Sequence, residues 1–140
     1  MQFNEVQCWH DQAQYDLSDA RYSATGGRHA LACFLCHQAG EKIMVAYLYA
    51  VGAEKVWGHS LSDLCEDAMA FDASFDLVKS NAAHLDKHHL GARYPTGIPA
   101  GIPAESYDEI DSNRALAIAE EVIKFVNEKL KLLDQNLIQP

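Results

Sequence analysis

The sequence has few of the features that mark a membrane, secreted or nucleic-acid-coating protein. It contains no apolar run near the roughly 18 residues that a membrane-spanning helix needs, so no membrane span is expected. Basic residues are scarce: 11 Lys and Arg stand against 20 Asp and Glu, which gives a net charge of −9. Non-specific nucleic-acid binding requires many neutralised phosphates, and this balance argues against it. The start, MQFNEVQCWHDQ, lacks the basic flank and apolar core of a secretory signal, so a cytoplasmic protein is expected.

Cysteine is also rare, and its four positions lie within helical patterns and not in short loops. We therefore expect Cys8, Cys33, Cys36 and Cys65 to be reduced, buried apolar groups. The run from Cys33 to His37 has the Cys-x-x-Cys-His spacing of haem attachment. Because it falls inside a long predicted helix and no export signal precedes it, we expect core packing here and no cofactor.

Strand-like alternation is absent, whereas apolar residues recur every three or four positions, which predicts helices. The predicted helices cover about residues 4–22, 30–51, a short helix that Ser60 opens, 73–90, and a last helix from 111 or 112 to 133. Gly52 ends the second helix, as a glycine just past a helix commonly does. We expect Leu77, Leu85 and Ile123 to face the core.

A proline- and glycine-rich stretch separates the last two long helices. Residues 91–110 contain Pro95, Pro99 and Pro103 with two glycines, a composition that forbids a continuous helix and predicts one long ordered loop. A loop of this length in a compact domain is commonly functional. The sequence thus predicts a single all-α domain over residues 1–140. Its form is an up-and-down four-helix bundle core with an additional short helix and this long Pro/Gly-rich loop.

Four residues in two places are the candidate binding residues. Arg93 can hold a phosphate bidentately, and Lys87 adds positive charge earlier in the chain. Tyr94 stands before Pro95, which restricts Tyr94 to an extended backbone. His59 precedes a helix N-terminus, where backbone N–H groups favour anions. We predict a nucleotide or phosphate site formed by Arg93, Lys87, His59 and Tyr94, with no confident catalytic residue.

Some of these positions also allow a purely structural interpretation. Arg93 could cap the fourth helix and pair with Asp86. His84 and His88 stand four residues apart and His89 follows, which suits a helical metal site. No third ligand has a matching spacing, so a solvated helix face is favoured and no metal is predicted.

Five motifs stand in order along the chain: Ala32-Cys33-Phe34, His37 to Lys42, Trp57 to Leu64, Leu85-Asp86-Lys87 and Arg93-Tyr94-Pro95. Together they resemble the HEPN family of "higher eukaryote and prokaryote nucleotide-binding" helical domains. The resemblance extends from Asp16 to Leu130. It implies a four-helix core with an added short helix, similar to the substrate-binding part of certain nucleotidyltransferases.

The resemblance also implies ligands and partners. Members of the family often form homodimers, and many prokaryotic members are encoded with a small nucleotidyltransferase as a toxin–antitoxin pair. On this basis we expect a homodimer, a nucleotide or RNA ligand, and a nucleotidyltransferase as the partner protein.

Ribonuclease members of the family use an arginine followed, after four to six residues, by a histidine. Arg93 matches the arginine, but the positions for the histidine hold Ile, Pro and Ala at 98–100, so the motif is absent and catalysis is not favoured. Two alternatives remain open. One is an active endoribonuclease in which Arg93 works with a sequence-distant histidine such as His59 or His88. The other is a non-catalytic helical interaction and oligomerisation module whose partner covers residues 91–110.

Overall fold

The architecture is helical throughout the part of the chain that the structure describes. The computed structural model describes residues 3–58 and 60–137, and the side chains of residues 5–58 and 60–134. The helices are α1 (Phe3–Thr25), α2 (His29–Ala50), α3 (Leu61–Met69), α4 (Asp76–Ala83), α5 (His88–Gly91), α6 (Pro103–Ser106) and α7 (Glu109–Leu137). Single 3₁₀ turns lie at Ala73–Phe75 and Pro95–Gly97. Within these residues no helix combines the length and apolarity that crossing a membrane requires.

The bundle is organised around α2. This helix is apolar around almost its whole circumference, as expected of a helix with neighbours on several sides, and α1, α3 and α7 all contact it. Ile43 and Met44 are fully buried along it. The four-helix core consists of α1, α2, the segment 73–91 and α7, and α3 is the additional short helix. The predicted all-α bundle is therefore confirmed.

The fourth predicted helix is divided by a tight turn. Between α4 and α5, backbone N–H groups bond three residues back and not four: His84 to Asn81, Leu85 to Ala82, and Asp86 to Ala83, at 3.0–3.1 Å. This 3₁₀ winding advances about 120° per residue instead of about 100°. Side chains after the turn therefore point to faces that a continuous α-helix would not give them.

The expected burial of Leu77 is wrong, while that of Leu85 and Ile123 is confirmed. Leu77 is 74% exposed, whereas Leu85 and Ile123 are 0% and 4% exposed. The inward face of this region is formed by Phe75 and Val78. Leu77 lies one position before Val78 and therefore about 100° away from that face.

α7 begins at Glu109, two residues before the predicted start. The cause is a reciprocal cap. The Asp111 N–H donates to Asp108 Oδ1 at 3.0 Å, and the Asp108 N–H donates to Asp111 Oδ2 at 3.0 Å. These bonds lower the pKa of Asp108, with the backbone N–H of Asp111 as the main cause. The preceding Pro/Gly-rich stretch is also more ordered than a plain loop, because it contains α6.

The cysteines follow the prediction at three positions and not at the fourth. Cys33, Cys36 and Cys65 are fully buried, which confirms that the haem-like motif is core packing. Burial raises the pKa of Cys33 and of Cys65 to about 12. Cys8 is exposed on α1, because the inward face of that helix is formed by residues such as Leu17.

Candidate functional site

Two separate segments meet beside α2. The Trp57 segment (residues 53–58 and 60–62) contains the first turn of α3, and the Arg93 segment (residues 84–95) follows α4. The carboxylate of Asp86, in the tight turn of the Arg93 segment, joins the two. It accepts from the Leu61 N–H at 2.6 Å, from the Ser62 N–H at 3.1 Å and from Ser60 Oγ at 3.2 Å. The first turn of α3 is thereby fastened to the Arg93 segment.

The start of α3 is capped as the sequence predicts. Ser60 is the N-cap residue, and its hydroxyl oxygen accepts from the Asp63 N–H at 3.2 Å. Before it, Gly58 has φ +98°, a left-handed conformation that favours glycine, and Trp57 is 77% exposed. His59, the fourth predicted binding residue, lies outside the described residues.

His37 approaches Asp86 from the core side. Its ring is fully buried on α2, and its Nε2 lies 3.3 Å from Asp86 Oδ1. The His89 ring lies beside it, with the two ring centroids 5.2 Å apart. Asp86 is thus held between the backbone of α3 and a buried histidine of the central helix. It is not available as the carboxylate partner considered for Arg93.

Arg93 presents an exposed guanidinium that stacks on an aromatic ring. Its Cζ lies 4.7 Å from the centroid of the Phe34 ring on α2. Within residues 3–58 and 60–137, no carboxylate lies within ion-pair distance of it. Stacking fixes the plane of the guanidinium and leaves its N–H groups free to face a ligand.

Some other basic side chains form ion pairs between helices. Arg21 pairs with Glu120 at 2.7 Å on the groove between α1 and α7, and Lys42 of α2 pairs with Asp16 of α1 at 2.6 Å. The second pair joins α2 to α1. These side chains hold the bundle together, whereas the charge of Arg93 is directed to solvent.

Lys87 and Tyr94 are also exposed, so three of the four predicted site residues are exposed side chains of the Arg93 segment. Tyr94 has φ −128° and ψ 134°, the extended geometry expected before proline. The loop that carries it lies close against α5, because a Cβ on Gly97 would come within 2.7–2.8 Å of backbone atoms of Leu90 and Gly91. Only glycine permits this contact.

His88 is enclosed, and the predicted solvated helix face is wrong at this residue. It is 4% exposed, and its Nδ1 lies 3.1 Å from the Tyr107 hydroxyl. Burial, with smaller effects of Lys87 and His37, lowers the pKa of His88 to about 4. His84, four residues earlier, is exposed as expected, because the 3₁₀ turn between them places the two rings on different faces. Among residues 3–58 and 60–137, no group of three metal-binding side chains is found.

The sequence-based prediction of the binding site did not include three residues: Asp86, His37 and Phe34. All three stand within the motifs that carry the family resemblance. Nothing in the local spacing of these residues shows that Asp86 joins two segments or that Phe34 contacts Arg93. Both roles depend on contacts between residues far apart in the chain.

The fold and these residues define an all-helical bundle protein with exposed basic and aromatic side chains in the Arg93 segment. A family model described as the HEPN domain matches residues 6–129. The chain therefore belongs to the HEPN domain family, as the motifs indicate.

Solved structures agree with this assignment. A crystal structure of a Thermus thermophilus protein is 35% identical with a TM-score of 0.83, and the match covers 91% of this chain and 99% of that one. A structure described as an archaeal HEPN homologue is 35% identical with a TM-score of 0.74, covering 89% and 96%. A HEPN domain protein from Thermotoga maritima is 28% identical with a TM-score of 0.71, covering 88% and 97%. No curated protein gives a significant match.

Proposed function

We propose that this protein binds a nucleotide or the phosphate of an RNA at the surface formed by Lys87, Arg93, Tyr94 and His59. The observation that carries the proposal is the exposed Arg93 guanidinium, stacked on Phe34 and without a carboxylate partner among the described residues. A planar guanidinium held in this way can donate two parallel hydrogen bonds to phosphate oxygens.

Local rather than broad recognition fits the charge of the chain. The net charge of −9 opposes contact with a long phosphate backbone, whereas a single nucleotide requires only one local basic group. The exposed rings of Tyr94 and Trp57 are 55% and 77% accessible, and aromatic faces of this kind stack on bases without strong sequence preference. A basic group followed in the chain by the exposed ring of Tyr94 supports a nucleotide in preference to a simple anion.

Binding is favoured over catalysis for two reasons. The chain lacks the Arg-x(4–6)-His motif of the ribonuclease members that it resembles. His88, one of the distant histidines considered in its place, is enclosed against Tyr107 and is neutral at physiological pH. An endoribonuclease that combines Arg93 with His59 is the enzymatic alternative. It requires RNA cleavage that Arg93→Ala abolishes.

Calorimetric titration with AMP, ATP and a short RNA tests the proposal. We expect Arg93→Ala to weaken binding by about tenfold to a hundredfold, the usual loss of a hydrogen-bonded charge pair. Arg114→Ala, which removes an exposed arginine from α7, should leave the affinity unchanged. Equal losses of affinity in both variants would show that the effect comes only from the change in net charge. A folded wild-type protein that binds none of the three ligands would refute the proposal.

The same proposal includes the location, the oligomeric state and the partner of the protein. We expect a cytoplasmic, single-domain protein that forms a homodimer and works with a nucleotidyltransferase partner, as the family resemblance implies. Light scattering at several concentrations tests the dimer, and a monomer mass at the highest concentration would contradict it. Co-expression with a nucleotidyltransferase encoded beside it, followed by co-purification, tests the toxin–antitoxin pairing.

The interaction module is the second candidate function, and one observation favours it. Leu90 and Ile102 are 55% and 47% exposed on the α5 and Pro/Gly-rich region, although both are large apolar side chains. A partner that covers residues 91–110 would bury them. This candidate predicts no affinity for nucleotides and slower hydrogen exchange of residues 91–110 in the presence of the partner.

A further inference from the structure

We propose that Asp86 is the positioning residue of the candidate binding surface. Its carboxylate holds the Trp57 segment and the Arg93 segment in one arrangement, so that groups from both can reach a single ligand. This inference rests on the proposed nucleotide site, and it adds a residue that does not itself contact the ligand.

The geometry of the carboxylate supports this role. Oδ1 accepts from the Leu61 N–H, and Oδ2 accepts from the Ser62 N–H and from the Ser60 hydroxyl. A carboxylate that receives backbone N–H groups at the first turn of a helix satisfies donors that have no partner within the helix. The donors belong to Ser60 and the first turn of α3, and the acceptor belongs to the Arg93 segment, so each bond joins the two segments.

Residues 53–58 are anchored to the bundle by two partly buried side chains, Ala53 and Val56, which pack against the core. Trp57 is largely exposed, and the residues at 54, 55 and 58 are also exposed. The beginning of the Trp57 segment is tied to α2 by the Ala53 N–H, which donates to the Leu48 carbonyl at 3.0 Å. Its end is the first turn of α3. Trp57 lies between the packed Val56 and that turn, so its placement depends in part on how the turn is held.

The bundle itself does not depend on the carboxylate. Leu61 and Leu85 are fully buried, and Leu61 packs so closely on α2 that a Cβ on Gly40 would lie 2.9 Å from its Cδ1. This apolar packing keeps α3 attached to the core when the charge is removed. Asp86→Asn, which keeps the size of the side chain, is therefore expected to fold.

The first measurement needs no ligand. Amide hydrogen exchange of Leu61 and Ser62 should be about tenfold faster in Asp86→Asn, because the charged acceptor of both N–H groups is lost. In a Trp9→Phe background, the fluorescence anisotropy of Trp57 should fall on the same substitution. Unchanged exchange and unchanged anisotropy would overturn the inference, whatever the protein binds.

The second measurement is AMP affinity, and the sign of the change separates two explanations. If Asp86 acted only as a negative charge near an anion, its removal would strengthen AMP binding. Positioning predicts the opposite result, a loss of about tenfold, the effect expected of a lost charged hydrogen-bond acceptor. Tighter or unchanged binding by Asp86→Asn, in a protein whose wild type binds AMP, would overturn the inference.

Two controls complete the design. Asp72 is a matched carboxylate, because it caps the 3₁₀ turn at Ala73–Phe75 and pairs with Lys129 at 2.8 Å. Asp72→Asn should lower stability without changing AMP affinity.

In a Trp57→Ala/His59→Ala background, Asp86→Asn should have no further effect on AMP affinity. An undiminished effect in that background would contradict action through the Trp57 segment. If the wild type binds no nucleotide, both the proposed site and the positioning role of Asp86 are refuted. Faster exchange in Asp86→Asn would then show that the hydrogen bonds of Asp86 exist as described and that only the proposed function is wrong.

Discussion

The enclosed imidazole of His88 should make the stability of the bundle depend on pH in a defined window. His88 is 4% exposed, its Nδ1 meets the Tyr107 hydroxyl, and burial lowers its pKa from 6.5 to about 4. In the unfolded chain the same ring titrates near 6.5. Between these two values the unfolded state carries a proton at this position that the folded state does not accept. Stability must therefore fall as pH decreases from about 6.5 to about 4.

The size of the effect follows from the difference between the two pKa values. One pKa unit corresponds to about 1.36 kcal/mol, so the full shift corresponds to about 3 kcal/mol, of which about 2 kcal/mol is lost by pH 5. Against a typical unfolding free energy of about 5–15 kcal/mol, this loss is easily measured. Below about pH 4 both states are protonated and His88 adds no further loss.

Urea denaturation at pH 7.5, 6.0 and 5.0 measures this difference for wild type and His88→Asn. Asparagine keeps a polar atom near the Tyr107 hydroxyl and does not titrate. Carboxylates and other histidines titrate in both proteins, so the difference between the two curves isolates His88. We expect the wild type to lose about 2 kcal/mol more than the variant between pH 7.5 and 5.0. Parallel pH profiles for the two proteins would refute the enclosed, neutral histidine.

Three further predictions test packing and exposure. Leu85→Ala should lower the free energy of unfolding in urea by about 2–5 kcal/mol, because Leu85 is fully buried. Leu77→Ala should lower it by less than about 0.5 kcal/mol, because Leu77 is exposed. Similar values for the two variants would contradict this difference in burial. Gly97→Ala places a Cβ against the backbone and should lower the free energy of unfolding by about 1–3 kcal/mol. In Gly26→Ala the nearest atom to the new Cβ would be 3.7 Å away, so the loss should be much smaller. Thermal unfolding of the two variants would show this contrast. With a thiol reagent, Cys8 should react in the folded protein and the other three cysteines only on unfolding; rapid reaction of a second thiol would show an opened core.

Features set by near neighbours in the chain were predictable. The helical class follows from apolar spacing, and Ser60 caps α3 as its position before an apolar turn indicates. The break between the first two helices falls at Gly26 and Gly27, between the predicted ranges 4–22 and 30–51, although α1 continues to Thr25. The reciprocal cap that starts α7 was also present in the sequence, as aspartates at 108 and 111, but the predicted start lies two residues late.

The sequence by itself determined that this chain is helical, most of its core, and which family it resembles, because these properties depend on periodicity, caps and ordered motifs. Only the tertiary structure decided that Asp86 joins α3 to the Arg93 segment, that Arg93 stacks on Phe34, and that His88 is enclosed. The reason is the 3₁₀ turn after α4. A change of about 20° per residue redirects each following side chain, and packing against distant helices, not local propensity, selects that winding.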